Sequence, residues 1–281
     1  SSSVFGPVDG GEQAIELLFG EGAQRSKQQD IVRWFIEKVQ KGNRDPARVL
    51  LHGPGGCGKS VVIRAVATLL RQEGHGVAIA APTGCAAFLV NGLTLHQCLH
   101  LPISNNSFGH ASDAPPPTGP ALESLRHYWK PVRALIVDEV SMVSAETLAY
   151  IDARLQVYKQ MPGIPFGGVH LLLCGDLYQL PPPGGRPIFA AEELWRLLTL
   201  CELQGNHRAA KDPAYVALLE RVRKGQQTDE DIETLRTRLR KPPAACDAPH
   251  LLATRKDVAR VNDVQLRAHA EQPGVPMSTV R

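Results

Sequence analysis

The sequence predicts an α/β fold built on a parallel sheet, and three observations carry that prediction. Short aliphatic runs recur at residues 49–52, 77–81, 134–137 and 169–174, each too short for a helix and bounded by Gly, Pro or charge. Each run leads into a stretch of helical or irregular chain long enough to cross back to a parallel neighbour, the alternation from which such sheets are built. A glycine-rich turn joins the first run directly to a helical stretch, the order strand, turn, helix that phosphate-binding loops require.

Taken in order, residues 1–24 combine Gly and acidic residues with one short apolar stretch, 14–19, and are expected to form a leader outside the core. From Ser26, a plausible N-cap, apolar Ile31, Phe35 and Val39 recur at i, i+4 and i+8 and predict the first helix. Between the second and third runs, residues 104–120 read SNNSFGHASDAPPPTGP, whose Ser, Gly and Pro content predicts an irregular surface excursion. Past Leu200 the composition turns to charged helices at 213–224 and 229–240, then a strand at 250–253 and a helix from Arg255. The expected organisation is a first domain over 25–200 and a partial second domain over 201–281.

A chain of 281 residues has room for one large domain or about two ordinary ones. Its 43% hydrophobic and 21% charged residues, mixed in sign, exclude disorder of the whole chain. No apolar run approaches the ~18 residues of a membrane span, and the first 24 residues lack Lys and Arg, against a targeting peptide. Six scattered cysteines without a Cys-x-x-Cys pair do not form a disulfide framework and point to a reducing compartment. The expectation is a soluble intracellular protein, in the cytoplasm or, in a eukaryote, the nucleus or mitochondrion. A net charge of +3 permits a polyanionic partner without demonstrating one.

The segment RVLLHGPGGCGKSVVIRAVATLL sets Gly53, Gly58, Lys59 and Ser60 in the pattern G-x-x-x-x-G-K-[ST], with Gly55 and Gly56 between them. Glycines let backbone N–H groups turn inward around phosphates, Lys59 reaches the β and γ oxygens, and the Ser60 hydroxyl suits magnesium. Nucleotide binding follows. In ALIVDEVSM an aliphatic run ends in Asp138 and Glu139, suited to hold magnesium and to orient or deprotonate an attacking water. In LLLCGDLYQLPPP another run ends just before Gln179, where open parallel sheets place ligands.

The ordered set GPGGCGKS, APTGCAA (81–87), TLHQCL (94–99), LIVDEVSMV (135–143), PFGG (165–168), GDLYQLPP (175–182) and NHRAAKDP (206–213) resembles the PIF-like (petite integration frequency) DNA helicases of superfamily 1B. The resemblance runs from about residue 24 to the C-terminus. It implies a RecA-like P-loop NTPase, with a first motor domain and the start of a second RecA-like domain. It also implies ATP hydrolysis with Mg²⁺, 5′-to-3′ movement along single-stranded DNA, unwinding of forked duplexes, and roles in DNA repair, recombination, replication or telomere maintenance.

By the same resemblance Gln29 reads adenine, Lys59 and Ser60 hold phosphate and magnesium, and Asp138 and Glu139 are the acidic pair. Gln179 senses the γ-phosphate and Arg208 is the arginine finger, although Ala209 follows it where the family carries glutamine. Pro82, Thr83, Gly84, Thr94 and His96 fall where the family grips the DNA backbone. The implied working form is a monomer. Later family motifs are not found before Arg281, so a second reading is a remnant that binds ATP and single-stranded DNA without processive unwinding. His96, Cys98 and His100 alternate as they would on a strand, but three such residues without a fourth fit packing or DNA contact better than a metal site. Cys57 occupies a free position of the loop, and Trp34, Trp129 and Trp195 fit packing better than base stacking.

Overall fold

The computed structural model describes residues 23–42, 45–101, 116–205, 212–237, 239 and 250–270. Strands β1 (Arg48–His52), β2 (Gly76–Ala81), β3 (Leu93–Thr94), β4 (Val132–Val137), β5 (His170–Gly175) and β6 (Thr199–Glu202) form one sheet in the order β3-β2-β4-β5-β1-β6. Every neighbouring pair in it is parallel. The helices are α1 (Ala23–Gln40), α2 (Lys59–Gln72), α3 (Gly84–Leu89), α4 (Leu95–Leu99), α5 (Gly119–Trp129), α6 (Ala145–Lys159), α7 (Glu192–Trp195), α8 (Pro213–Arg223), α9 (Asp229–Arg236) and α10 (Arg255–Ala270). The four aliphatic runs of the sequence lie in β1, β2, β4 and β5, within two residues of their expected bounds.

Those runs are continuous because the sheet is covered on both faces, so neither side-chain direction needs a polar residue. Pleating sends Leu51, Ile136 and Leu172 to one face and Leu50, Leu135, Leu171 and Leu173 to the other. Helices α1 and α2 close the first face with Val32, Phe35, Val39, Val62, Val66 and Leu70. The second is closed by α5 and α6, with Trp129, Leu148, Leu155 and Tyr158. Trp129 is fully buried and stacks on Tyr158 at 6.4 Å, while Trp34 and Trp195 pack partly buried against the core. The Lys159 ammonium, at the end of α6, donates to the carbonyls of Trp129, Lys130 and Val132 at 3.0 Å each, satisfying the chain as it leaves α5 for β4.

The PFGG motif is explained by packing. Phe166 is fully buried, its backbone sits at φ +55°, and its N–H donates to Asp152 of α6. A Cβ on Gly167 would come within 2.4 Å of the Leu155 carbonyl oxygen, so only glycine lets this turn lie against α6.

Some sequence expectations need correction. Strand β6 pairs along β1, with Leu50 opposite Leu200 and Leu51 opposite Cys201, so the boundary expected at 200/201 falls inside the sheet. The chain divides instead into compact units Ser1–Thr228 and Asp229–Arg281. The strand expected at 250–253 is not formed. His96, Cys98 and His100 do not alternate along a strand: Thr94 and Gln97 make a reciprocal capping box that starts α4. Cys98 there faces the core, and burial pushes its thiol up to about 12. Most of the leader, 1–22, most of the excursion, 104–115, and Arg208 lie outside the described residues.

At the start of β5, His170 is fully buried and its Nδ1 accepts the Ala47 N–H at 3.0 Å. Burial, reinforced by the charges of Arg133 and Arg48, pushes its pKa down to about 4. An unfolded imidazole titrates near 6.5, so between these values the unfolded chain takes up a proton that the folded chain refuses. His170 therefore costs stability as pH falls from 6.5 to 4, by at most about 3 kcal/mol. Urea denaturation at pH 7.5 and 5 should show the parent losing more stability than His170→Asn, whose Oδ1 can replace Nδ1 as acceptor. Equal losses would contradict this account.

Candidate nucleotide-binding site

Residues 53–60 leave the carboxyl end of β1 and turn into α2. The Gly53 N–H donates to the Gly175 carbonyl at 3.1 Å, tying the loop to the end of β5. A Cβ at Gly53 would lie 2.6 Å from the Leu203 carbonyl oxygen, and one at Gly58 would lie 2.3 Å from Gln28 Nε2. Gly58 also holds φ +91°, so both glycines answer to backbone geometry. No side chain caps α2, whose first N–H groups thereby remain available at its positive end. The Lys59 ammonium reaches back into the loop and donates to the carbonyls of Gly53 at 2.7 Å and Pro54 at 3.0 Å. Ser60 occupies the first turn of α2, half-buried.

The glutamine that touches this loop is Gln28. It is 3% exposed and its Nε2 donates to the Cys57 carbonyl at 2.8 Å. Gln29, the residue singled out from the sequence, is its half-buried neighbour on α1.

Asp138 and Glu139 follow β4. Asp138 is buried, and its Oδ1 accepts the Glu139 N–H at 2.9 Å. Burial raises its pKa, with the Glu139 charge adding to the rise and the Glu139 N–H and the Lys59 charge opposing it. Glu139 is half-buried at φ +53°, a left-handed conformation uncommon outside glycine and asparagine, at the head of the 3-10 turn Val140–Met142.

Beyond β5, Asp176 is 1% exposed and saturated with donors. Arg223 of α8 grips it with two bonds, Nε to Oδ2 at 2.7 Å and Nη2 to Oδ1 at 2.6 Å. The Tyr178 N–H reaches Oδ1 at 3.1 Å and Gln179 Nε2 reaches Oδ2 at 3.2 Å. Burial alone would raise the Asp176 pKa, but the Arg223 bonds outweigh it and hold the carboxyl below its usual range. Gln179 also borders the loop, since a Cβ on Gly55 would sit 3.8 Å from its Nε2. The proline-rich segment that follows is pinned at its far end, where Arg186 pairs with Glu146 at 2.9 Å and its carbonyl accepts the Ala145 N–H.

Pro82, Thr83 and Gly84 follow β2, and Thr94 and His96 stand at the end of β3, on the same carboxyl side of the sheet. Thr83 caps α3 by accepting the Ala86 N–H at 3.2 Å. Thr94 caps α4, Gly84 and His96 are exposed, and Pro82 and Thr83 are half-buried.

The family model described as PIF1-like helicase matches residues 24–233. The chain belongs to the PIF1-like helicase family. It is 30% identical over 251 residues to the ATP-dependent DNA helicase PIF1 of Saccharomyces cerevisiae, covering 86% of this chain and 28% of that protein. To the human protein of the same name it is 31% identical over 188 residues, 65% of this chain and 28% of the relative. The crystal structure of Bacteroides Pif1 bound to ssDNA superposes with a TM-score of 0.70 at 26% identity, covering 88% of this chain and 57% of that one. A Bacteroides Pif1 structure in complex with ADP-AlF3 and ssDNA gives the same TM-score and identity, with coverages of 90% and 58%. The sheet is thus the RecA-like P-loop fold of PIF1-like helicases, and the chain spans less than a third of these two curated relatives.

Proposed function

We propose that this chain is the ATP-hydrolysing part of a DNA helicase that moves 5′ to 3′ along single-stranded DNA. The carrying observation is convergence. Strands β4, β5 and β1 are consecutive in the sheet and deliver Asp138 and Glu139, Asp176 to Gln179, and the Lys59 loop to one edge. Simple nucleotide binding would need only the loop. A hydrolase also needs an acid beside it and a polar group over the γ-phosphate, roles proposed for Glu139 and Gln179 because they follow strands that neighbour one another in the sheet.

In this reading the N–H groups of the loop and of α2 bind the phosphates, and Lys59 exchanges its loop carbonyls for β and γ oxygens. Glu139 orients and deprotonates the attacking water, while Gln179 contacts the γ-phosphate. The donor set at Ser60 and Asp138, a hydroxyl and a buried carboxylate, fits magnesium, which prefers hard oxygen ligands. When bound, the ion neutralises charge on the phosphate oxygens. Gln29 and Arg208 are carried as adenine and γ-phosphate contacts on the family resemblance alone.

Single-stranded and forked DNA are the proposed partners. Support comes from the DNA-bound Bacteroides structure and from Pro82, Thr83, Gly84, Thr94 and His96, which share the carboxyl side of the sheet with the nucleotide loop. Magnesium-dependent ATP hydrolysis by the 281-residue chain, faster with single-stranded DNA, is the expected result of a steady-state assay. Hydrolysis indifferent to DNA would remove the nucleic-acid part, and none at all would remove the motor. Strand displacement on 5′- and 3′-tailed duplexes tests direction.

A further inference from the structure

We propose that Arg223 is a positioning residue for ATP hydrolysis, acting through Asp176 to aim the side-chain amide of Gln179. The inference rests on the hydrolase reading above and adds to it a residue from α8, outside every motif. Its guanidinium lies 4.6 Å from the Tyr178 ring centroid, so the ring covers one of its faces, and 3.4 Å from His52 Nε2 at the end of β1. One side chain thus touches the strand that feeds the phosphate loop and the turn that carries Gln179.

The argument is one of hydrogen-bond polarity. A primary amide can turn either its oxygen or its nitrogen toward a neighbour. A carboxylate only accepts, so an ionised Asp176 compels Gln179 to present Nε2, which leaves the amide oxygen and the second N–H for water or phosphate. Asp176 is 1% exposed, and burial on its own favours the protonated acid. A protonated carboxyl can donate as well as accept, and the amide would lose its orientation. The two bonds from Arg223 keep the carboxylate charged and fix its plane, because a guanidinium fork matches both oxygens at once. A lysine would supply the charge without the fork.

Four variants test this: Arg223→Met, which keeps most of the volume, Arg223→Lys, Gln179→Ala, and the double Arg223→Met/Gln179→Ala. Arg223→Met should lower kcat for ATP roughly 10- to 100-fold, somewhat less than the ~10² to 10³ of losing a direct transition-state donor. Its KM for ATP and affinity for ADP should stay at parent values. Arg223→Lys should recover only part of the rate, and the double variant should be no slower than Gln179→Ala, since both changes break one chain of contacts. Multiplying defects, or an Arg223→Lys enzyme with the parent kcat, overturn the proposal. The lysine variant decides the matter should the methionine variant not fold.

A parent chain that hydrolyses no ATP contradicts the proposed function instead. The positioning claim is then read from the Gln179 side-chain amide in ¹⁵N spectra. The amide proton bonded to Asp176 should exchange with solvent more slowly than its geminal partner in the parent and several-fold faster in Arg223→Lys, and identical exchange in the two proteins would overturn it.

Discussion

Glu139→Gln is expected to bind ATP as the parent does and to hydrolyse it about 10² to 10⁴ times more slowly, the span that a positioned general base contributes. The substitution keeps the shape and length of the side chain and removes only the charge. The geometry makes this a clean test. Glu139 adopts φ +53°, a conformation that costs a non-glycine residue on the order of 1 kcal/mol, and it does so at the head of the turn leaving β4. Its N–H is already committed to Asp138 Oδ1, and glutamine preserves that backbone bond. Binding of a fluorescent ATP analogue together with single-turnover hydrolysis separates the two effects. Parent-like hydrolysis by Glu139→Gln would move the base elsewhere in the site.

What could be read from the sequence was what is local in the chain. The phosphate loop is legible because its glycines, Lys59 and Ser60 all fall within the eight residues 53–60, so their spacing can be read along the chain. The four inner strands are legible because burial on both faces leaves unbroken aliphatic runs. Strand β6 lacks that signature: Thr199, Leu200 and Glu202 are exposed, and the change of composition at Leu200 marks the start of charged chain rather than the edge of the sheet. The mistaken strand around His96 has a similar origin, since alternation outweighed the Thr94 and Gln97 capping pair that starts a helix there.

Arg223 was beyond reach for another reason. It sits 47 residues from Asp176, in a helix whose sequence, PAYVALLERVR, shows an ordinary charged surface pattern. Nothing local distinguishes the arginine that grips a buried carboxylate from Arg221 two residues before it. Gln28 and Gln29 present the same difficulty in miniature, because only the helical phase of α1 against the loop decides which of two adjacent glutamines is buried.

Lys59→Ala should weaken Mg-ATP binding by roughly 10- to 150-fold, the equivalent of about 1.5–3 kcal/mol for a hydrogen-bonded charge, while leaving the fold in place. The size is bounded by what Lys59 does without nucleotide. Its ammonium already donates to the carbonyls of Gly53 and Pro54, so binding exchanges two neutral acceptors for anionic phosphate oxygens, and only the difference counts. The loop does not depend on the lysine for its shape. The Gly53 N–H is held by Gly175, the Cys57 carbonyl by Gln28, and the left-handed turn is made by Gly56 and Gly58. Calorimetric titration with Mg-ATP, alongside thermal melting of both proteins, reads the two expectations separately. Unchanged affinity in Lys59→Ala would mean that the phosphates bind somewhere other than this loop, whereas lost affinity with a large fall in melting temperature would mean that Lys59 is holding the loop rather than the nucleotide.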